Sequence, residues 1–406
     1  MGTIHNPDRF MADLRQILSQ GRKRIGLMVG AGAPMSIKIN LHGKIDVNGV
    51  PLIPGVDELT KLVITGLKDK KERDAVQELS RSIGPSVNIE KILSQIRLLE
   101  RALGNVNVHG LNSNGYSALG RNICDQIGGI VGARLPKERN AYNDLVAWIS
   151  GTLRVHAVEI FSANYDLLFE EAFESARAPY FDGSTGGASP FFDAVTVASD
   201  DLPPRWSRLW KLHGSIGWAL ERDRIVRGGG RNSTHLIFPD HLKYDLTQKQ
   251  PYSALFERLR QFLLNPDTLL LATGFSFRDA HISAVIEEAL AMNSNAAAIA
   301  FQYSDLDREE AACTIASDRP NLSVYAADGA VINGVVGKWR PGETNKNWAD
   351  IRPTFWAPRE VNADPCFLLG DFCRFTNFCA LSQAEKVDRV KLDSPQREGS
   401  PEIIDD

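Results

Sequence analysis

The sequence predicts an α/β protein built on a doubly wound, parallel, Rossmann-like sheet, with a helical insertion and a C-terminal appendage. Two observations carry this. Short apolar runs at residues 25–29, 157–162, 209–212, 268–272, 297–301 and 322–326 alternate with segments of helical period. Nearly every run then stops at a turn of glycine or small polar residues, as buried parallel strands do when they feed the next helix.

The elements follow in order. Residues 9–20 place Phe10, Leu14, Ile17 and Leu18 on one helical face. The apolar run Ile25-Gly26-Leu27-Met28-Val29 is the first buried strand, and residues 40–54, rich in Gly, Pro and Asn, read as an irregular loop. Residues 57–150 carry helical spacing at 89–93 and 142–149 and no evident chemistry, so they form the insertion. Further helices are expected at 165–175, 252–264 and 281–291. The sheet domain is therefore discontinuous, 1–56 with 151–335. Residues 336–406 form the appendage, turning Pro-, Asn- and Trp-rich at 339–365 and ending in a polar tail from Pro395.

With 406 residues, the chain is long enough for more than one domain. A net charge of -4 and only short basic clusters, at 21–24 and 68–71, argue against direct nucleic-acid binding; both clusters suit solvated helix faces. The polar N-terminus lacks a signal-peptide core, and no apolar stretch reaches the length of a membrane span, so the expectation is a cytoplasmic protein with no membrane partner. Five cysteines, an odd number in a long chain, argue against a disulfide scaffold. Cys124 and Cys313 read as apolar fillers, while Cys366, Cys373 and Cys379 lack a close C-x2-C pair. No histidine follows His281 to complete a zinc site, so no metal is expected.

Strand ends hold the candidate chemistry. Gly30-Ala31-Gly32-Ala33-Pro34-Met35-Ser36 would let the backbone approach a pyrophosphate, though small residues there also serve packing. Phe161-Ser162-Ala163-Asn164-Tyr165-Asp166 offers an amide to orient water or a ribose hydroxyl; Asn164 and Asp166 equally suit helix caps. In Trp210-Lys211-Leu212-His213-Gly214-Ser215, His213 suits a general base. In the turn from Gly274 to Asp279, Gly274 and Ser276 could meet phosphate or ribose, and Arg278 with Asp279 could form a structural ion pair. The turn Tyr325-Ala326-Ala327-Asp328-Gly329 ends the last run, where a backbone loop including Asp328 could hold an adenine.

Taken together, the order G-A-G-A-x-x-S, S-A-N-Y-D, K-L-H-G-S and G-F-S-F-R-D resembles the sirtuin fold. More closely, it resembles the bacterial sirtuin-like proteins that degrade NAD in antiphage defence. The resemblance implies NAD as substrate, with Gly30, Ala31, Gly32, Ala33 and Ser36 at its diphosphate. It also implies Asn164, Asp166 and His213 as catalytic residues, and Gly274 and Ser276 on the adenosine side. It implies a homo-oligomer working with a HerA-type ATPase. Two departures bear on the co-substrate. The chain has no cysteine between His213 and Gly274, where the deacylases carry zinc-binding pairs, and no G-I-P-D-F-R segment after the first glycine turn. Both weaken an acyl-lysine co-substrate and favour water, hence NAD hydrolysis. The competing readings are a non-catalytic NAD or ADP-ribose sensor and an NAD-dependent deacylase.

Overall fold

The computed structural model describes residues 2–85, 87–199, 201–221, 224–228, 250–342, 350–360 and 362–382. The expected tail from Pro395 lies outside them.

Ten described strands form the central sheet, here β1 (Ile4–His5), β2 (Arg24–Val29), β3 (Glu159–Ser162), β4 (Tyr180–Phe181) and β5 (Ser207–Lys211). They continue as β6 (Thr268–Thr273), β7 (Ala297–Phe301), β8 (Leu322–Tyr325), β9 (Gly329–Ile332) and β10 (Val335–Trp339). The spatial order is β1-β10-β9-β8-β7-β6-β2-β3-β5-β4, and the run from β8 to β4 is parallel throughout. Helices α1 (Pro7–Gln20) and α2 (Gly32–Ser36) flank β2 in sequence. Between β2 and β3 come α3 (Val56–Gly66), α4 (Lys70–Ile83), α5 (Ile89–Ala102), α6 (Ser113–Val131) and α7 (Ala141–Gly151). Then come α8 (Leu168–Ser175), α9 (Ala194–Ala198), α10 (Tyr252–Leu264), α11 (Ala280–Met292) and α12 (Glu310–Asp318), and last α13 (Arg352–Phe355) and α14 (Phe372–Leu381). Among the described residues no helix is long and apolar enough to cross a membrane.

Side-chain alternation along the strands shows why both faces must be covered. Leu27 and Val29 of β2, Ile160 of β3, and Leu269 and Leu271 of β6 belong to one buried cluster. Their neighbours Met28, Phe161, Leu270 and Ala272 belong to a second. A period of two with apolar residues on both sides is the mark of a doubly covered sheet. The first helix is set by the Asn6 side chain, which accepts from Asp8 N at 2.9 Å, and by Pro7 in its first turn. Its buried face is Met11, Leu14 and Leu18, with Phe10 and Ile17 partly covered at its side.

Two placements differ from the sequence reading. Residues 40–54, expected as irregular loop, include Val50–Pro51, which pairs antiparallel with Lys38–Ile39. The segment from 336 onward, expected as an appendage, enters the sheet and the core. Most of β10 lies beyond that boundary, pairing with β9 on one side and β1 on the other. Trp339, Phe367, Phe372, Phe375 and Phe378 are buried in one cluster with residues of the strands and of helices α3 to α7. The cause is an aromatic lattice: Phe375 stands 5.3 Å from Phe301 between ring centroids, and Phe372 stands 5.1 Å from Tyr142.

The topology fixes where a ligand can sit. From β2 the chain builds β3, β4 and β5 on one side, then crosses back to β6 on the other side of β2. The crevice outside the C-terminal ends of β2 and β6 is thus the switch point, where open parallel sheets bind ligands.

Candidate active site

Strand register brings the four sequence motifs to one level. Val29 pairs with Thr273 on one side and Ser162 on the other, and Ser162 pairs with Lys211. The ladder continues past the strands, with Gly30 N donating to Thr273 O, Ala163 N to Val29 O and Leu212 N to Ser162 O. The turns that begin at Gly30, Ala163, Leu212 and Gly274 therefore emerge in one row.

The two glycine turns touch. A Cβ on Gly30 would stand 2.4 Å from the carbonyl oxygen of Gly274, and one on Gly32 would stand 2.6 Å from Gly274 Cα. Gly274 itself has φ +61, and a Cβ there would stand 2.6 Å from Ala33 N. Only glycine fits these positions. The contact also consumes donors, because Gly32 N bonds Gly274 O at 2.9 Å and Ala33 N bonds Gly30 O at 3.0 Å. The small residues thus hold the turns together, the packing role the sequence left open beside phosphate binding.

Asn164 is 9 % exposed, and its Nδ2 donates to Gly30 O at 3.0 Å, joining the second motif to the first. Asp166 Oδ1 accepts from Leu168 N at 3.0 Å and closes a turn just ahead of α8, whose N-cap position is Leu167. His213, 7 % exposed, lies with Nε2 3.0 Å from Asp279 Oδ2. The contact is off the line a hydrogen bond needs, so Nε2 has no hydrogen-bond partner among the described residues. Asp279, which the sequence paired with Arg278, faces His213 and with its other oxygen caps α11 through His281 N and Ile282 N; Arg278 is exposed. The Tyr165 ring lies 6.3 Å from the His213 ring, and burial pushes its phenol well above the ordinary range. Thr273 Oγ1 is likewise buried with no partner among the described residues. Unpaired polar atoms buried at one strand-end level are costly, which makes them pointers to function.

A cavity of about 660 Å³ opens on the switch-point side. Ala31, Gly32, Ser36, Gly274 and Ser276 line it; Gly30, Ala33, Asn164 and His213 do not. Ser36 Oγ donates to Ala33 O at 2.8 Å and meets Cys373 Sγ at 3.3 Å, so α14 backs the wall of α2. Gln302, Tyr303 and Glu309 bound the far side. Asp328 is not part of the lining: it accepts from Leu306 N at 3.0 Å and pairs with Lys338.

Sequence reasoning missed three side chains near the row. In the sequence Asp279 reads as a partner for its chain neighbour Arg278; nothing in the spacing reveals that β5 and the β6 turn bring it to His213. Lys211, 1 % exposed, donates from Nζ to the backbone oxygen of Asp166 and lies 3.7 Å from Glu170 Oε1. Burial pushes the Glu170 carboxyl up to about 7, against the pull of Lys211. A lysine inside an apolar strand was the available signal for that pair.

Among the described residues no group of three or more His, Cys, Asp or Glu is placed to hold a metal ion. No curated protein matches the chain. Residues 158–320 match the family model of the SIR2-like domain, a type often found in NAD-utilising enzymes. The matched stretch holds Asn164, Asp166, His213, Gly274, Ser276 and Asp279, and not the Gly30 turn or Asp328. The matched stretch runs from the start of β3 to just past α12, within a mixed α/β fold with a large, mostly parallel, Rossmann-like sheet.

Proposed function

We propose that the chain hydrolyses NAD at the bond between nicotinamide and ribose. The observation that supports this best is the tie of Asn164 to Gly30 at 3.0 Å, which couples the amide to the glycine turn at the switch point. In this reading the 660 Å³ cavity takes the adenosine diphosphate portion, and the nicotinamide ribose faces Asn164 and His213. When the bond breaks, its electron pair leaves with nicotinamide and positive charge develops on the ribose carbon. Fixed dipoles of the site shield that charge. Water held by Asn164 adds to the carbon, and its proton passes to His213, steadied by Asp279. The products are nicotinamide, ADP-ribose and one proton.

The finer parts of the proposal are depletion of NAD in antiphage defence and assembly as an oligomer with a HerA-type ATPase. These rest on the order of the four motifs alone. Recovery of such an ATPase with the tagged chain from its own cells tests that part.

A second reading, NAD or ADP-ribose binding without turnover, has one observation in its favour. Asn164 and His213 are nearly closed to solvent, and the Asn164 amide is already bonded to Gly30. Following nicotinamide from purified protein with NAD, with and without an acylated peptide, separates the readings. Release without peptide supports hydrolysis, release only with peptide supports deacylation, and NAD binding without release supports a sensor.

A further inference from the structure

At the end of the strand row away from His213, the turn after β7 supplies Gln302 and Tyr303 to the wall of the 660 Å³ cavity. The strands there run in the order β7, β6, β2, β3, β5. Four strand spacings, about 19 Å, therefore separate the β7 turn from the His213 turn. A dinucleotide laid along that row, with its nicotinamide ribose at β3 and β5, carries its diphosphate across the glycine turns of β2 and β6. Its base then comes to the turn after β7.

Three of the residues in the cavity wall are aromatic. Phe275 and Phe301 are 6 % and 1 % exposed and belong to the core clusters, whereas Tyr303 is 55 % exposed. A single exposed aromatic is ordinary on a protein surface, so exposure alone assigns nothing.

Two further observations set Tyr303 apart. The Arg359 guanidinium lies over its ring, 4.2 Å from the centroid, and Nη2 donates to the Tyr303 carbonyl oxygen. Arg359 is not one of the cavity residues, so the ring is backed from outside the wall. The backbone beneath the ring is fixed as well. A Cβ on Gly370 would stand 2.1 Å from Gln302 O and 2.6 Å from Tyr303 Cα. Gln302 N donates to Tyr325 O at 2.9 Å, its Nε2 donates to Phe275 O at 3.0 Å, and Ser304 N donates to Glu309 Oε1 at 3.1 Å. The turn cannot shift without breaking these contacts. The ring is thus set before a ligand arrives, and little side-chain freedom is lost on binding.

We infer that Tyr303 is the platform on which the purine base of the dinucleotide stacks, with Arg359 as the residue that positions its ring. The inference rests on the placement of a dinucleotide in this cavity, and not on its hydrolysis. Arg359 lies beyond the stretch that matches the SIR2-like domain, so the C-terminal segment takes part in the site.

Calorimetric titration of the full chain with 5′-AMP and with ribose 5-phosphate tests it without any turnover. Saturable one-to-one binding of AMP is expected, with Kd of about 1 mM or tighter. Ribose 5-phosphate, which lacks the base, binds weaker by about tenfold or more. Tyr303→Ala lowers AMP affinity about tenfold and leaves ribose 5-phosphate unchanged, whereas Tyr303→Phe keeps AMP affinity within about twofold. Arg359→Ala lowers AMP affinity several-fold, again with no effect on ribose 5-phosphate. Wild-type AMP affinity in Tyr303→Ala, or in Arg359→Ala should Tyr303→Ala not fold, overturns the inference and leaves the dinucleotide reading standing. Ribose 5-phosphate binding as tight as that of AMP, or binding of NAD without binding of AMP, does the same. A wild type that binds neither AMP nor NAD overturns both.

Discussion

The side-chain amide of Asn164 donates to the carbonyl of Gly30 at 3.0 Å across 134 residues of sequence. This bond joins the end of β3 to the end of β2 at the switch point of the sheet, and it makes the polar motif and the glycine turn one unit.

Asn164→Ala removes that bond and the amide at once. The fold is expected to survive, since one neutral hydrogen bond contributes about 1 kcal/mol. Loss of an oriented polar group from an active site costs about a hundredfold or more in kcat. Thermal melting and nicotinamide release on the same preparation separate the two effects.

Gly30→Ala acts through the backbone. Its Cβ would meet Gly274 O, which cannot swing aside, so a destabilisation of about 2 kcal/mol or more is expected. Gly43→Ala is the control, because its φ is +71 but nothing lies within 4 Å; only the left-handed backbone cost of about 1 kcal/mol remains. Urea unfolding of both variants checks the difference. Equal losses would show that the contact between the glycine turns is not what demands glycine.

Asp279→Asn keeps an oxygen for the cap of α11 and withdraws the charge facing His213. Stability is expected to stay near wild type, while kcat for NAD cleavage falls on the order of tenfold or more. A matching fall in Asp279→Ala with additional loss of stability, measured by thermal melting, would assign the two oxygens of Asp279 their separate roles.

Glu170 sets a stability slope with pH. Its folded pKa, about 7, lies above the unfolded value of 4.5. Below pH 4.5 both states hold the proton and no penalty exists. As pH rises through this window the unfolded chain ionises first, so stability falls, and above about pH 7 the loss is complete. The carboxyl is buried, and the loss amounts to about 3 kcal/mol. Glu170→Gln should therefore gain on wild type between pH 4.5 and pH 7.5, read as the difference in unfolding free energy. No gain would show that Glu170 is ionised throughout.

Much of the fold was legible because each apolar run was long enough and ended in a turn. The strands at 25–29, 268–272 and 297–301 and the helices at 252–264 and 281–291 appear close to the expected bounds. The C-terminal part was not legible, since its Pro- and Asn-rich stretch hid the spacing of Phe372, Phe375 and Phe378, three aromatics on one helical face. The candidate site divides in the same way. Strand ends at 164, 213 and 274 could be read from sequence, whereas the approach of Asp279 to His213 depends on the order of strands in the sheet. The turn at Asp328 reads as a backbone loop able to hold an adenine, and in the structure the Asp328 carboxylate meets Leu306 N and Lys338.

The central claim is that Asn164 and His213 act together on NAD at the end of β3 and β5. The most direct measurement is the rate of nicotinamide release from NAD by wild type, Asn164→Ala and His213→Ala, prepared and assayed alike in each assembly state. The account predicts nicotinamide and ADP-ribose in equal amounts from wild type, with both variants slower by about a hundredfold or more. Wild-type rates of NAD consumption in either variant, or no nicotinamide from wild type in any assembly state, would contradict it.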